Sequence, residues 1–235
     1  MENSAQIIPL GDGALLIQLG NVIDDDLNKL VLHLYPQFRS LGPFVLDVVP
    51  AYSSIAVYYD VLPLHTAEKT AFEKMRELLE PVVNQVTNNG ELMGRTLKIP
   101  VCYEAEFAPD LAELAKAKML TEEEVVRLHT TAVYRVYMIG FLPGFPYMGK
   151  VDGRMATPRR SSPRTSFPAG SVGIAGEQTG IYPLSSPGGW NIIGRTPIRL
   201  FDKDRPQPVM LQPGDAVQFY SITENEFNDQ QSWPA

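Results

Sequence analysis

The feature that most constrains the fold is the way the C-terminal half of the chain is cut into short pieces. From Phe141 to Pro197, brief β-prone runs alternate with Gly and Pro. Runs that short cannot carry a helical apolar stripe; they bury their side chains only by pairing into a sheet. Ser171–Ala175, Trp190–Ile193, Ile198–Phe201, Val209–Leu211 and Ala216–Ile222 are the expected strands, and short strands with frequent turn signals predict a barrel or sandwich. Ahead of them, Arg95–Tyr103 alternates as a strand and Tyr134–Phe141 reads as another. Between the two lie short helices at Asp110–Lys118 and Thr121–Thr131, the second opening on the capping box Thr121-x-x-Glu124.

The first 90 residues have a different texture. Gly13–Gly20 reads as a short buried strand. Leu27, Leu30, Val31, Leu34 and Phe38 fall at helical spacing over Asp24–Phe38, with three aspartates at the start, where the helix dipole favours negative charge, and Pro36 expected to kink or end the helix. Strands are expected at Phe44–Val49 and Ser54–Tyr59, and a second helix from about Thr66 to Val83. The order β-α-β-β-α predicts a small α+β domain of ferredoxin-like layout. The expected division is 1–90 for this domain, 91–223 for the β-rich domain and 224–235 for a loose polar tail, with Asn88, Asn89 and Gly90 as linker.

Charge narrows the function. The 235-residue chain carries a formal net charge of −7 and is 44% hydrophobic, so it can build a core and lacks the cationic surface of a nucleic-acid or anionic-membrane binder. Yet Phe141–Pro197 holds Lys150, Arg154, Arg159, Arg160, Arg164 and Arg195 against Asp152 and Glu177, a cationic island that suits a small anionic ligand or an acidic partner. A single cysteine, Cys102, fits a reducing compartment. With no signal-peptide pattern at the start and no apolar run of membrane-spanning length, the expected location is cytoplasmic.

Several motifs invite functional readings. Gly144–Lys150 matches most of a phosphate loop, but Val151 stands where Ser or Thr would bind Mg²⁺, and Pro143, Pro146 and the following residues exclude the helix such a loop needs. Gly170, Gly173, Gly176 and Gly180 recur without a dinucleotide-binding helix behind them. Either their amides approach an anion, with Gln178 and Thr179 alongside, or strands and turns need positive φ and close approach. Arg159, Arg160 and Arg164 could clamp a carboxylate or sit in a solvated loop; Arg195, leaving a buried strand, is the better ligand candidate. His33, His65 and His129 lack partners at metal spacing, so no metal site is expected. Ser185 and Ser186 have no evident base. The chain offers binding geometry more plainly than catalytic machinery.

The stretches Phe141–Gly149 (FLPGFPYMG), Phe167–Pro183 (FPAGSVGIAGEQTGIYP) and Ser186–Pro197 (SPGGWNIIGRTP) resemble the signature of the family that supplies the B component of 5-oxoprolinase, also called allophanate hydrolase subunit 1 or KipI. Pro158-Arg159, Pro163-Arg164, Leu200-Phe201-Asp202, Pro213-Gly214-Asp215 and Glu122–His129 add to it, and Lys150 departs from a usual second glycine. The resemblance implies a cyclophilin-like β-barrel C-terminal domain behind the small α/β domain. It implies a KipA-type C component and an A component of 5-oxoprolinase as partners, with ATP and Mg²⁺ used by the complex to open 5-oxoproline to glutamate. It also implies two other roles for such a chain: inhibition of a sensor histidine kinase, and service in a urea- or amide-processing carboxylase or hydrolase. Under the first reading Arg164, Gly170, Gly173, Gly176, Gln178, Thr179, Gly180 and Arg195 are the ligand-contact candidates, while Pro143, Gly144, Phe145, Tyr147, Trp190 and His129 shape the pocket. The catalytic residues are not named by the sequence.

Overall fold

The computed structural model describes residues 5–85 and 94–229; the expected linker at Asn88, Asn89 and Gly90 lies outside them. The chain divides into two compact units, Met1–Met93 and Gly94–Ala235.

The first unit runs β1 (Gln6–Pro9), β2 (Ala14–Gln18), α1 (Asp25–Arg39), β3 (Val45–Pro50), β4 (Ser54–Tyr59) and α2 (Ala71–Gln85). Its antiparallel sheet has the order β1-β2-β4-β3. That is a ferredoxin-like strand order in which the edge strand beside β2 comes from the N-terminal end, not from after α2. β1 escapes a reading of the sequence because QIIP has no alternation of its own; its identity comes from pairing with Leu15–Gln18. Asp24 caps α1 by accepting from Asp26 N–H (2.9 Å) and Leu27 N–H (3.0 Å). Pro36 does not end this helix, which continues to Arg39. α2 starts at Ala71, later than the periodicity suggests, because Thr70 and Glu73 cap it reciprocally: Thr70 N–H donates to Glu73 Oε2 (2.8 Å) and Glu73 N–H to Thr70 Oγ1 (3.3 Å). Leu15, Ile17, Ile55 and Val57 meet Val31, Leu34, Phe38, Met75 and Leu79 in one core.

The second unit comprises β5 (Thr96–Cys102), α3 (Leu111–Ala117), α4 (Glu122–Thr131), β6 (Val133–Ile139), β7 (Pro146–Gly149), β8 (Arg164–Phe167), β9 (Ser171–Ala175), β10 (Gln178–Ile181), β11 (Ser186–Gly188), β12 (Asn191–Arg195), β13 (Ala216–Ile222) and α5 (Glu224–Asp229). Seven strands close into a barrel in the order β10-β7-β6-β13-β5-β12-β9, and β8 pairs with β11 as a separate ribbon. Closure removes the exposed edges that strands this short would otherwise present. Of the two architectures left open by the sequence, the barrel is the one observed. Its core gathers Ile99, Val101, Val136, Met148, Val172, Ile174, Ile181, Ile193, Val217 and Phe219; a fully buried side chain of this size contributes about 1.5–3 kcal/mol relative to an exposed one.

Two expectations are corrected here. Ile198–Phe201 and Val209–Leu211 form no full strands; they meet in a single bridge, Phe201↔Val209. The tail is not uniformly loose, because Thr223 and Glu226 form a capping box that starts α5 and Phe227 is buried. Among the described residues no helix is long and apolar enough to cross a membrane.

Candidate functional site

Register places the cleft. Arg195, the last residue of β12, pairs with Cys102 at the end of β5 and with Ser171 at the start of β9. Ile222, the last residue of β13, pairs with the same Cys102. The ends of β5, β12 and β13 and the start of β9 therefore gather at one end of the barrel. There a cleft of about 920 Å³ opens between the Ala169–Gly170 turn, Pro183–Leu184, the Arg195–Arg205 segment and Phe227 of α5.

Four cations line it, and three of them share two nearby carboxylates. Arg199 and Arg205 lie 3.3 and 3.8 Å from Asp202, and Lys203 lies 2.6 Å from Asp204. Arg195 is different. Its Nε–H donates to Ala169 O (2.9 Å), its guanidinium lies 5.5 Å from the centroid of the Phe227 ring, and it forms no ion pair among the described residues. Burial holds its pKa below the ordinary guanidinium value. A half-buried cation without a carboxylate gains from any anion that enters the cleft.

Gly170 lines the cleft and fixes its turn to the Thr196 backbone. Its φ is +86°, and a Cβ added there would stand 2.2 Å from Thr196 O. The close approach is fixed by Thr196 N–H donating to Gly170 O (2.9 Å) and Gly170 N–H donating to Tyr182 O (2.7 Å).

The remaining candidates lie elsewhere. Arg164 is committed to Asp110, placing Nη1 and Nη2 at 2.5 and 2.7 Å from its two oxygens, and Arg160 adds a contact of 2.7 Å. Hydrogen bonding to Asp110 raises the Arg164 pKa above its usual value, the opposite of Arg195. Gly173 and Gly180 are cross-strand partners within the barrel, close to Ile192, Trp190 and Phe145, and Gly176 turns β9 into β10 with its N–H on Thr157 O (2.6 Å). The amides of Gly170 and Gly176 donate within the chain, and both glycines take positive φ at turns, +86° and +60°. Gln178 opens β10, away from the cleft's lining.

Thr179 and His129 meet in the barrel core instead. Thr179 Oγ1–H donates to Gly173 O (3.1 Å), so it accepts from His129 Nε2–H (3.0 Å), and His129 Nδ1 accepts from Tyr103 O–H (2.7 Å). The ring stacks on Phe219 at 4.5 Å. Full burial lowers the His129 pKa to about 3, so the imidazole is neutral and structural.

Phe145, Tyr147 and Trp190 belong to an aromatic cluster with Phe167 and Tyr182, not to the cleft. Pro143 is exposed in the turn before them. Gly144 supports the cleft from behind: its Cα faces Phe201, whose Cβ would lie 3.3 Å from an added methyl. Within Gly144–Lys150, Pro146–Gly149 forms β7 and no phosphate loop. Ser185 pairs with Ser166 (2.9 Å) and Ser186 donates to Pro187 O (3.3 Å), so neither has an imidazole neighbour. Sequence reasoning misses Asp110 and Phe227. The first reads locally as a helix cap; the second is announced by Thr223-x-x-Glu226.

The family model described as carboxyltransferase domain, subdomain C and D, matches residues 5–211. The chain belongs to this family. Among its relatives, the B component of 5-oxoprolinase from Bacillus subtilis (strain 168) is 42% identical over 229 residues, covering 95% of both chains. The carboxyltransferase-family fold recurs in the crystal structure of TTHA0988, with a TM-score of 0.76 and 35% identity; the match covers 89% of this chain and 40% of that longer one. Kluyveromyces lactis urea carboxylase shares the fold at a TM-score of 0.75 and 21% identity, over 96% of this chain and 22% of that protein.

Proposed function

We propose that this chain is the B component of an ATP-dependent 5-oxoprolinase, which opens the 5-oxoproline lactam to L-glutamate. The observation that carries the reading is the end-to-end match to the Bacillus subtilis protein, 42% identical over 95% of both chains. The geometry adds a binding role. 5-Oxoproline carries a carboxylate beside an unactivated lactam. Arg195, half-buried and without an acidic partner among the described residues, takes that carboxylate in the cleft, beside the Gly170 turn.

The phosphate-loop spacing of Gly144–Lys150 supplies no nucleotide site in this chain. The stretch with phosphate-loop spacing is a barrel strand, and no group of three His, Cys, Asp or Glu side chains is arranged for a metal among the described residues. Among the described residues, no nucleophile–base pair lines the cleft. We therefore assign nucleotide binding and lactam activation to the KipA-type C component and the A component, with this chain holding the substrate's charged end.

Co-expression with candidate A and C components tests the reading. ATP- and 5-oxoproline-dependent glutamate release is expected in the full set and lost when this chain is omitted. Undiminished release without it would refute the assignment.

A further inference from the structure

We propose that Phe227 of α5 is a positioning residue for Arg195, its ring face fixing the direction in which the guanidinium meets the cleft's ligand. The proposal rests on Arg195 as the carboxylate anchor. An arginine at the end of a strand has four side-chain torsions and sweeps a wide arc unless held. Here it is held at two points. The Nε–H bond to Ala169 O fixes one edge of the guanidinium, and the Phe227 ring lies against it. Nη1 and Nη2 remain for a ligand. The edge bond alone leaves the plane free to swivel; a flat π surface beside it removes that freedom and attracts the cation.

Phe227 is itself immobilised. It is 6% exposed and packs with Cys102, Phe107 and Ile222, its ring 4.5 Å from that of Phe107. Its helix is tied down by the Thr223–Glu226 capping box and by Glu224 N–H donating to Glu104 Oε1 (3.0 Å). The C-terminal helix thus braces Arg195 against the β5–α3 connection. A core-filling role alone would be met by Leu or Met. The aromatic face toward the cation is what the positioning role adds.

Phe227→Leu and Phe227→Tyr separate the two roles. In the assembled enzyme Phe227→Leu is expected to raise the KM for 5-oxoproline about five-fold with kcat little changed, as for loss of uniform binding. Phe227→Tyr keeps the ring and restores KM. In the isolated full chain, the Arg195 Nε–H proton is expected upfield because of the ring, with Phe227→Leu moving it downfield and Phe227→Tyr leaving it in place. An unchanged KM and Nε–H shift in Phe227→Leu overturns the proposal, as does a Phe227→Tyr variant that behaves like Phe227→Leu. Arg195→Ala runs alongside. If it leaves KM unchanged, the carboxylate assignment of the cleft fails, and the Nε–H shift still decides whether Phe227 positions Arg195.

Discussion

Replacing Asp110 by Ala should unfold the barrel unit at a markedly lower temperature. The carboxylate is 1% exposed and accepts from both Nη of Arg164 (2.5 and 2.7 Å), from Arg160 Nη1 (2.7 Å) and from the buried Ile192 N–H (2.8 Å). The arginines are about a third exposed and can turn to water, so their share is discounted to about 0–1 kcal/mol each. The Ile192 N–H cannot turn; leaving it without a partner costs about 1–3 kcal/mol. The loss of a buried, shape-matched side chain brings the total to about 3–5 kcal/mol, the range for breaking a buried pair from one side. For a unit of this size that lowers Tm by about 10 °C or more. Asp110→Asn, which keeps one acceptor, should fall between. Circular dichroism melts and urea titrations of the three proteins measure this. A Tm within about 3 °C of the parent for Asp110→Ala would refute the claim that this carboxylate ties the Pro158–Arg164 loop and β12 to α3.

Other perturbations have equally definite outcomes. Arg195→Ala should leave the melting temperature nearly unchanged and raise the KM for 5-oxoproline about 30-fold or more in the assembled enzyme, the loss of a charge-assisted contact; steady-state kinetics with circular dichroism checks both. Gly170→Ala should cost more than about 1–2 kcal/mol, because the +86° φ strains any L side chain and the methyl meets the Thr196 carbonyl; urea unfolding measures it. His129 sets an acid limit. Its folded pKa of about 3 lies below the unfolded value of about 6.5, so unfolding takes up a proton once the pH drops below the latter. Stability from this group is full above pH 6.5 and declines toward pH 3, by at most about 1.4 kcal/mol per unit. Its ring protons should show no titration by NMR between pH 5 and 8.

Local signals recover much of the chain, and their failures share a cause. Ser54–Tyr59, Ser171–Ala175 and Ala216–Ile222 are read to the residue, because each combines β-branched or aromatic residues with clear turn punctuation. β7 and β10 are hidden in runs of Gly and Pro, and only their barrel neighbours make strands of Pro146–Gly149 and Gln178–Ile181. α5 escapes notice for the opposite reason. Its capping box is legible, but the polar composition around it outweighs a single buried Phe227.

The cationic island shows where charge counting stops being informative. Its arginines look alike in sequence, yet the fold gives them different work. Arg160 and Arg164 converge on Asp110, some fifty residues earlier, and Arg154 pairs with Asp152 two residues away. These pairs offset part of the local excess. Arg195 alone among those four arginines reaches a backbone carbonyl and an aromatic ring in place of a carboxylate. Its partners come from the β8–β9 turn and from α5, and neither the Ala169 carbonyl nor the Phe227 ring carries a charge to mark it. What sets Arg195 apart from those neighbours is therefore not its charge but its half-buried guanidinium without a carboxylate partner among the described residues.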